Sequence, residues 1–173
     1  MTPGGAAADL PAAGAVLSKG EHATLEAWRA AGDVIVFTNG VFDLLHRGHL
    51  DLLERSRALG DRLVVGVNGD ASARRLKGSG RPLVLATERT AMLAALRCVD
   101  MTVIFDDDTP ERLIREVKPH VLVKGRDWPV ERIVGRAFVE AHGGRVLSLP
   151  LREGYGTSNI VERIRAGRSA LDP

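Results

Sequence analysis

The chain has 173 residues, the size of one globular unit rather than a multidomain machine, and its 45% apolar fraction is enough for a core without disulfides. Twenty-four Lys and Arg against 22 Asp and Glu leave a formal charge of +2, too balanced for a nucleic-acid surface, and 4% aromatic residues are too few for base-stacking platforms. One cysteine, Cys98, fits a core position in a reducing compartment. No run approaches the roughly 18 apolar residues of a membrane span, and no Lys/Arg-led signal opens the chain. The expectation is a cytoplasmic protein that touches neither membrane nor nucleic acid.

Residues 1–20 are rich in Gly, Ala and Pro and are read as a flexible tail, with a single domain over 21–173. A short helix is expected over 21–31, closed by Gly32. Short β-branched runs at 34–37, 63–67, 101–105, 121–123 and 146–149 read as five strands. Helical periodicity fills 49–59, 88–97, 110–117 and 130–142 between them, and a last helix opens within 154–160. Thr109 and Pro110 form a start signal, because the hydroxyl can cap free N–H groups and proline loses no bond at the first helical position. Apolar strands alternating with helices imply a doubly wound α/β fold with a five-stranded parallel sheet. Ligands of such sheets sit beyond the carboxyl ends of the strands, so the loops after each strand are where chemistry is sought.

The most informative loop follows the first strand. Residues 38–49 end in His46-Arg47-Gly48-His49 and lead into a helix. Two imidazoles three residues apart at a helix start can each donate to the oxygens of one phosphate, where the free N–H groups also draw anions. Gly48 lets the main chain approach where a Cβ would collide. A zinc site would need further ligands at metal spacing, and none accompanies the pair.

The segment 38–49 resembles the HxGH signature of the nucleotidyltransferase superfamily. Residues 67–70, 75–82, 108–110, 123–128 and 154–160 narrow the resemblance to the ADP-heptose synthase (D-glycero-β-D-manno-heptose 1-phosphate adenylyltransferase) family, and together these matches run over 34–165. The resemblance implies a Rossmann-like nucleotidyltransferase fold and a reaction in which an oxygen of a sugar 1-phosphate attacks the α-phosphorus of ATP in line. Pyrophosphate leaves, Mg2+ accompanies ATP, no protein metal ligand is assigned, and a homodimer is the family expectation. His46, His49 and Lys77 are then the catalytic candidates. Lys77 is read in a flexible Gly/Ser loop from which its ammonium can close on phosphate.

On the nucleotide side the resemblance implies Val41, Phe42 and Gly48 beside the phosphates, and Gly125 and Asp127 at base and ribose, with Trp128 as cover. Thr157 and Ser158 would cap the last helix and present hydroxyls to the β and γ phosphates, with Arg152 nearby. On the acceptor side Thr38, Asn39, Gly40, Asp43, Asn68, Asp70 and Lys77 are candidates, although Asp43, Asn68 and Asp70 serve equally well as turn or cap residues. The acidic run 106–108 reads as solvated surface and helix entry. Two other readings stand beside the adenylyltransferase: a cytidylyltransferase for glycerol 3-phosphate or another alcohol phosphate, and a nucleotide-binding module without chemistry.

Overall fold

The computed structural model describes residues 16–125, 129–150 and 154–169. Five parallel strands form one sheet: β1 (Ile35–Gly40), β2 (Arg62–Asn68), β3 (Met101–Phe105), β4 (Val121–Gly125) and β5 (Arg145–Leu149). Their spatial order is β3-β2-β1-β4-β5, with β1 central. The chain moves outward from β1 through β2 to β3 and then returns to the other side of β1 with β4. This reversal opens a crevice between β1 and β4 at their carboxyl ends, where doubly wound folds bind ligands.

Period-two alternation sends the two faces of the sheet into two cores. Ile35, Phe37, Val64, Val103 and Leu122 pack with Leu25 of helix α1 (Lys19–Ala30) and with Leu113, Ile114 and Val117 of α5 (Glu111–Val117). Val36, Leu63, Val65, Val67, Val121 and Val123 pack on Leu52 and Leu53 of α2 (Arg47–Arg57) and Leu93 of α4 (Ala86–Ala94). All five strand expectations hold: β1, β2 and β4 are buried on both faces along most of their length, while the edge strands β3 and β5 are only partly covered. Cys98 is half-buried against the second core, and burial pushes its thiol pKa up.

Helical expectations hold less evenly. Helix α1 begins at Lys19, ahead of the expected 21, because Ser18 caps it: the Ser18 hydroxyl accepts from Glu21 N–H while Glu21 accepts from Ser18 N–H. Leu17 is fully buried, and the N–H groups of Val16 and Leu17 donate to the Glu116 carboxylate. Residues 16–18 are thus held against the core or cap α1, and 19–20 begin that helix, rather than forming a tail. Helix α3 (Asp70–Lys77) was not expected. Conversely, the helix expected over 130–142 is a 3-10 turn (Val130–Arg132) and a separate α6 (Arg136–Ala141). Gly135 divides them at φ +88°, where an added Cβ would stand 2.6 Å from Ile114 Cδ1. Helix α5 starts at Glu111 with Pro110 as its cap residue and no side-chain cap bond, so Thr109 does not play the capping part.

Candidate functional site

The loop from β1 to α2 is held in an unusual shape. Phe42 and Leu44 both have positive φ, 52° and 51°, a region costly for side chains with a Cβ. Asp43 between them fixes the shape: its carboxylate accepts from Leu83 N–H at 3.0 Å, from Val84 N–H at 3.1 Å and from Arg81 Nη1 at 2.8 Å. Burial alone would raise the Asp43 pKa, but the Leu83 N–H, the Arg81 guanidinium and the Val84 N–H outweigh it and hold the carboxyl below its usual range. The first residue of the loop, Val41, accepts at its carbonyl oxygen from Arg89 Nη1. Arg89 is fully buried and also donates to Val84 O at 2.8 Å, Asn68 O at 2.9 Å and Asp70 Oδ1 at 2.9 Å. One guanidinium therefore ties the ends of β1 and β2 to the start of α4.

Helix α2 opens on the histidine pair. His46 is its cap residue, and His49 N–H reaches His46 O at 2.9 Å and, more weakly, His46 Nδ1 at 3.4 Å. With Nδ1 facing a donor, the neutral His46 ring carries its proton on Nε2, an assignment made from that bond. The two rings stack with centroids 3.8 Å apart and 19° between planes, and Phe42 meets His49 edge-on at 5.3 Å. Burial lowers the His46 pKa; burial, then the neighbouring His46 charge, lowers that of His49 to about 4. At neutral pH His49 is uncharged, and its Nδ1 is buried with no hydrogen-bond partner among the described residues. Gly48 is needed here for a reason inside the protein: an added Cβ would lie 3.1 Å from the His46 ring and 3.1 Å from Tyr155 Cβ.

Two lysines approach the same end of the sheet. Lys77 is the exposed last residue of α3, ahead of Gly78, so it stands on a helix rather than in the Gly/Ser loop expected for it. Residues 70–77 carry the helix because Asp70 sits in the positive first turn while Arg74, Arg75 and Lys77 occupy the negative last one. The loop that follows is pinned to Asp43 through Arg81, Leu83 and Val84. Lys124, near the end of β4, places its Nζ 3.1 Å from Asn39 Oδ1 on β1, across the mouth of the crevice. Burial first, and the Lys77 charge second, lower its pKa to about 8.

The structure gathers some candidates and reassigns others. His46, Gly48, His49, Val41, Phe42 and Gly40 meet around the turn from β1 into α2, Asn39 and Gly125 lie at the carboxyl ends of β1 and β4 that flank the crevice, and Lys77, ending α3, is near enough to Lys124 for its charge to act there. Thr38 is fully buried, so its side chain faces the interior and not an acceptor. Asp43 is spent on Arg81, Leu83 and Val84. Asn68, also buried, donates to Ser72 Oγ at 2.7 Å. Asp70 accepts from Ala86 N–H and Arg89. These three take the turn and cap role rather than the sugar role.

Helix α7 (Thr157–Arg165) has Gly156 as its cap residue with no side-chain cap bond; the Thr157 hydroxyl instead donates to Asp43 O at 2.6 Å, and Ser158 is exposed. Thr157 and Ser158 therefore do not cap α7 through their side chains, contrary to the expectation. Asp127, Trp128 and Arg152 lie outside the described residues. In the acidic run, Asp107 pairs with Arg112 and Asp108 with Arg75 on exposed surface. Sequence reasoning assigned no role to Arg89, within the helix expected over 88–97, or to Lys124, within the 123–128 segment that carries the resemblance.

Residues 37–163 match the family described as cytidylyltransferase-like. The chain is 54% identical over 145 residues to the "Bifunctional protein HldE" of Geotalea uraniireducens (strain Rf4), covering 84% of this chain and 30% of that protein. It is 56% identical over 141 residues to the protein of the same name from Pseudomonas aeruginosa (strain LESB58), covering 82% and 30% respectively. The chain thus spans less than a third of the length of these curated relatives. Among solved structures, the lipopolysaccharide core biosynthesis protein of Thermoplasma volcanium GSS1 matches with a TM-score of 0.59 and 30% identity, over 72% of this chain and 100% of that one. A protein of unknown function from Archaeoglobus fulgidus, at 20% identity and a TM-score of 0.53 over 67% of this chain and 88% of that one, shares the fold.

Proposed function

The chain belongs to the cytidylyltransferase-like family, and from that premise we propose that it transfers AMP from ATP to D-glycero-β-D-manno-heptose 1-phosphate, giving ADP-heptose and pyrophosphate. The observation that carries this reading is the stacked His46–His49 pair at the start of α2, directly after the central strand. Support for the acceptor comes from the lysine-loop and β4 segments that resemble ADP-heptose synthases, and from the identity with the HldE proteins. The Thermoplasma neighbour's name places that protein in lipopolysaccharide core biosynthesis, where a nucleotide-activated heptose is a fitting product. ATP as donor places the reaction in the cytoplasm; no described helix is long and apolar enough to cross a membrane.

The chemistry asks little covalent work of the protein. A phosphate oxygen of the acceptor forms a bond to the α-phosphorus as the bond to the bridging oxygen breaks, and the electron pair leaves with pyrophosphate. The nucleophile carries no proton to remove, so catalysis is positioning and charge stabilisation. His46 Nε2–H and the His49 ring donate to the α-phosphate oxygens as charge builds there, and the free N–H groups of α2 add a fixed positive end. Because both rings are neutral before ATP arrives, they donate hydrogen bonds without strong ground-state attraction for the triphosphate. Lys77 neutralises the phosphates from the rim. Mg2+ supplies charge neutralisation on the triphosphate. Among the described residues no three His, Cys, Asp or Glu side chains come together, and Asp43 and Asp70 are already bonded, so its ligands would be phosphate oxygens and water.

The test is pyrophosphate release from ATP, CTP, GTP or UTP with Mg2+, with heptose 1-phosphate or glycerol 3-phosphate as acceptor. Release with ATP and heptose 1-phosphate alone is the expected result. Turnover of CTP with glycerol 3-phosphate would overturn the substrate assignment in favour of an alcohol-phosphate cytidylyltransferase, and nucleotide binding without any turnover would leave a binding module.

A further inference from the structure

Lys124 is an unusual place for a cation. This chain prefers arginine: only four of its 24 basic residues are lysines, and two of those four, Lys77 and Lys124, come close enough at one end of the sheet for the charge of one to act on the other. The Lys124 side chain is half-buried, its hydrogen bond goes to the neutral Asn39 amide oxygen, and it has no ion pair among the described residues. Elsewhere the described cations of the molecule are placed more conventionally: the one fully buried cation, Arg89, has four oxygen acceptors that include the Asp70 carboxylate. A desolvated ammonium with a like charge as neighbour and no carboxylate destabilises the fold. It is kept where an anion arrives to complete it.

We propose that Lys124, oriented by Asn39, binds the phosphate of the acceptor and, with Lys77 on the opposite side, selects phosphomonoester dianions as the attacking substrate. The inference rests on the nucleotidyl-transfer reading and deepens it. A sugar 1-phosphate brings close to two negative charges at neutral pH towards a triphosphate that already carries several. The attack thus requires cations on the acceptor side that the histidine pair does not supply. The geometry suits this division, because Lys124 stands on β4 and the histidines follow β1, on opposite flanks of the crevice. A lysine suits it better than an arginine: it is a compact point charge on a flexible stem that can turn to one phosphate, and with its pKa lowered to about 8 it stays mostly protonated at neutral pH, where an arriving dianion favours the charged form further.

Lys124→Met and Lys124→Arg, made in the full chain, test the assignment. With Lys124→Met the KM for heptose 1-phosphate is expected to rise at least tenfold while the KM for ATP changes less than threefold, and the melting temperature is expected to rise because an unpaired, half-buried charge is gone. Lys124→Arg is expected to recover part of the acceptor affinity. A lower melting temperature with both KM values raised together would show a structural lysine and overturn the proposal, as would an unchanged acceptor KM.

A second measurement does not depend on the acceptor's identity. In a protein with four lysines the 13Cε signals are few enough to follow singly, and inorganic phosphate is expected to raise the Lys124 pKa and shift its signal. If phosphate moves Lys124 but heptose 1-phosphate is not turned over, the substrate reading falls and the anion site stands. If the enzyme turns over and phosphate leaves Lys124 untouched, the anion site falls alone.

Discussion

His46 has two jobs that a single substitution confuses: its ring caps α2 and its Nε2–H faces the phosphates. Asparagine separates them, since it is among the best cap residues and lacks the imidazole. His46→Asn is expected to keep the unfolding midpoint of the parent while turnover falls on the order of 10² or more, the scale of losing one donor to a charged transition state; comparable losses in both would place His46 in the scaffold. His49 gives a pH signature. Its pKa of about 4 in the folded chain lies below the 6.5 of an exposed histidine, so between these values the unfolded chain binds more protons. The stability contributed by a neutral His49 is therefore complete above about pH 6.5 and is lost as pH falls towards 4. Urea unfolding between those values should show a steeper loss of stability with acidity in the parent than in His49→Gln, and equal slopes would contradict the buried neutral ring. The pair itself was legible in the sequence, because His46-Arg47-Gly48-His49 follows a strand. The reason for Gly48 was not: it makes room for the His46 ring and Tyr155, a contact between segments more than a hundred residues apart.

Among the elements, α3 shows where pattern reading fails. Its only buried residues are Ser72 and Ala73, so no apolar period announces the helix, and Gly78 and Gly80 after it suggested a loop. What holds it is polar: Asn68 on Ser72, Asp70 on Ala86 N–H and Arg89, and Arg75 on Asp106 O and Asp108. The split before α6 was hidden for the opposite reason. The apolar spacing over 130–142 continues through Gly135, but the positive φ that Gly135 adopts beneath Ile114 stops the helix. Arg89 is the hub of the polar framework, and replacing it with Met takes its donor from the carbonyls of Val41, Asn68 and Val84 and leaves the Asp70 carboxylate only the Ala86 N–H. Arg89→Met is expected to cost about 3–5 kcal/mol in denaturant unfolding, the scale of breaking a buried ion pair. A loss below about 1 kcal/mol, the scale of an exposed pair, would show that the loop after β1 does not depend on it.

At the scale of the whole molecule, the sheet order β3-β2-β1-β4-β5 is what turns scattered segments into a site. Strand count and fold class were readable because each strand is a short apolar run rich in β-branched residues, with the inner three buried along most of their length. The pairing of Asn39 with Lys124 was not readable, since it follows only from placing β4 beside β1, 85 residues apart in the chain. The same order sets the histidines after β1 and Lys124 on β4 across the crevice, with Lys77 arriving from α3 after β2, an arrangement suited to two phosphates that react with each other without a protein nucleophile. Stereochemistry at the α-phosphorus tests this most directly, using one diastereomer of ATPαS with heptose 1-phosphate and Mg2+. Direct in-line transfer predicts a thio-substituted ADP-heptose with inverted configuration at that phosphorus. Retention would mean two displacements through a covalent enzyme intermediate, and a failure to form the nucleotide sugar from either ATPαS or ATP would contradict the transfer itself.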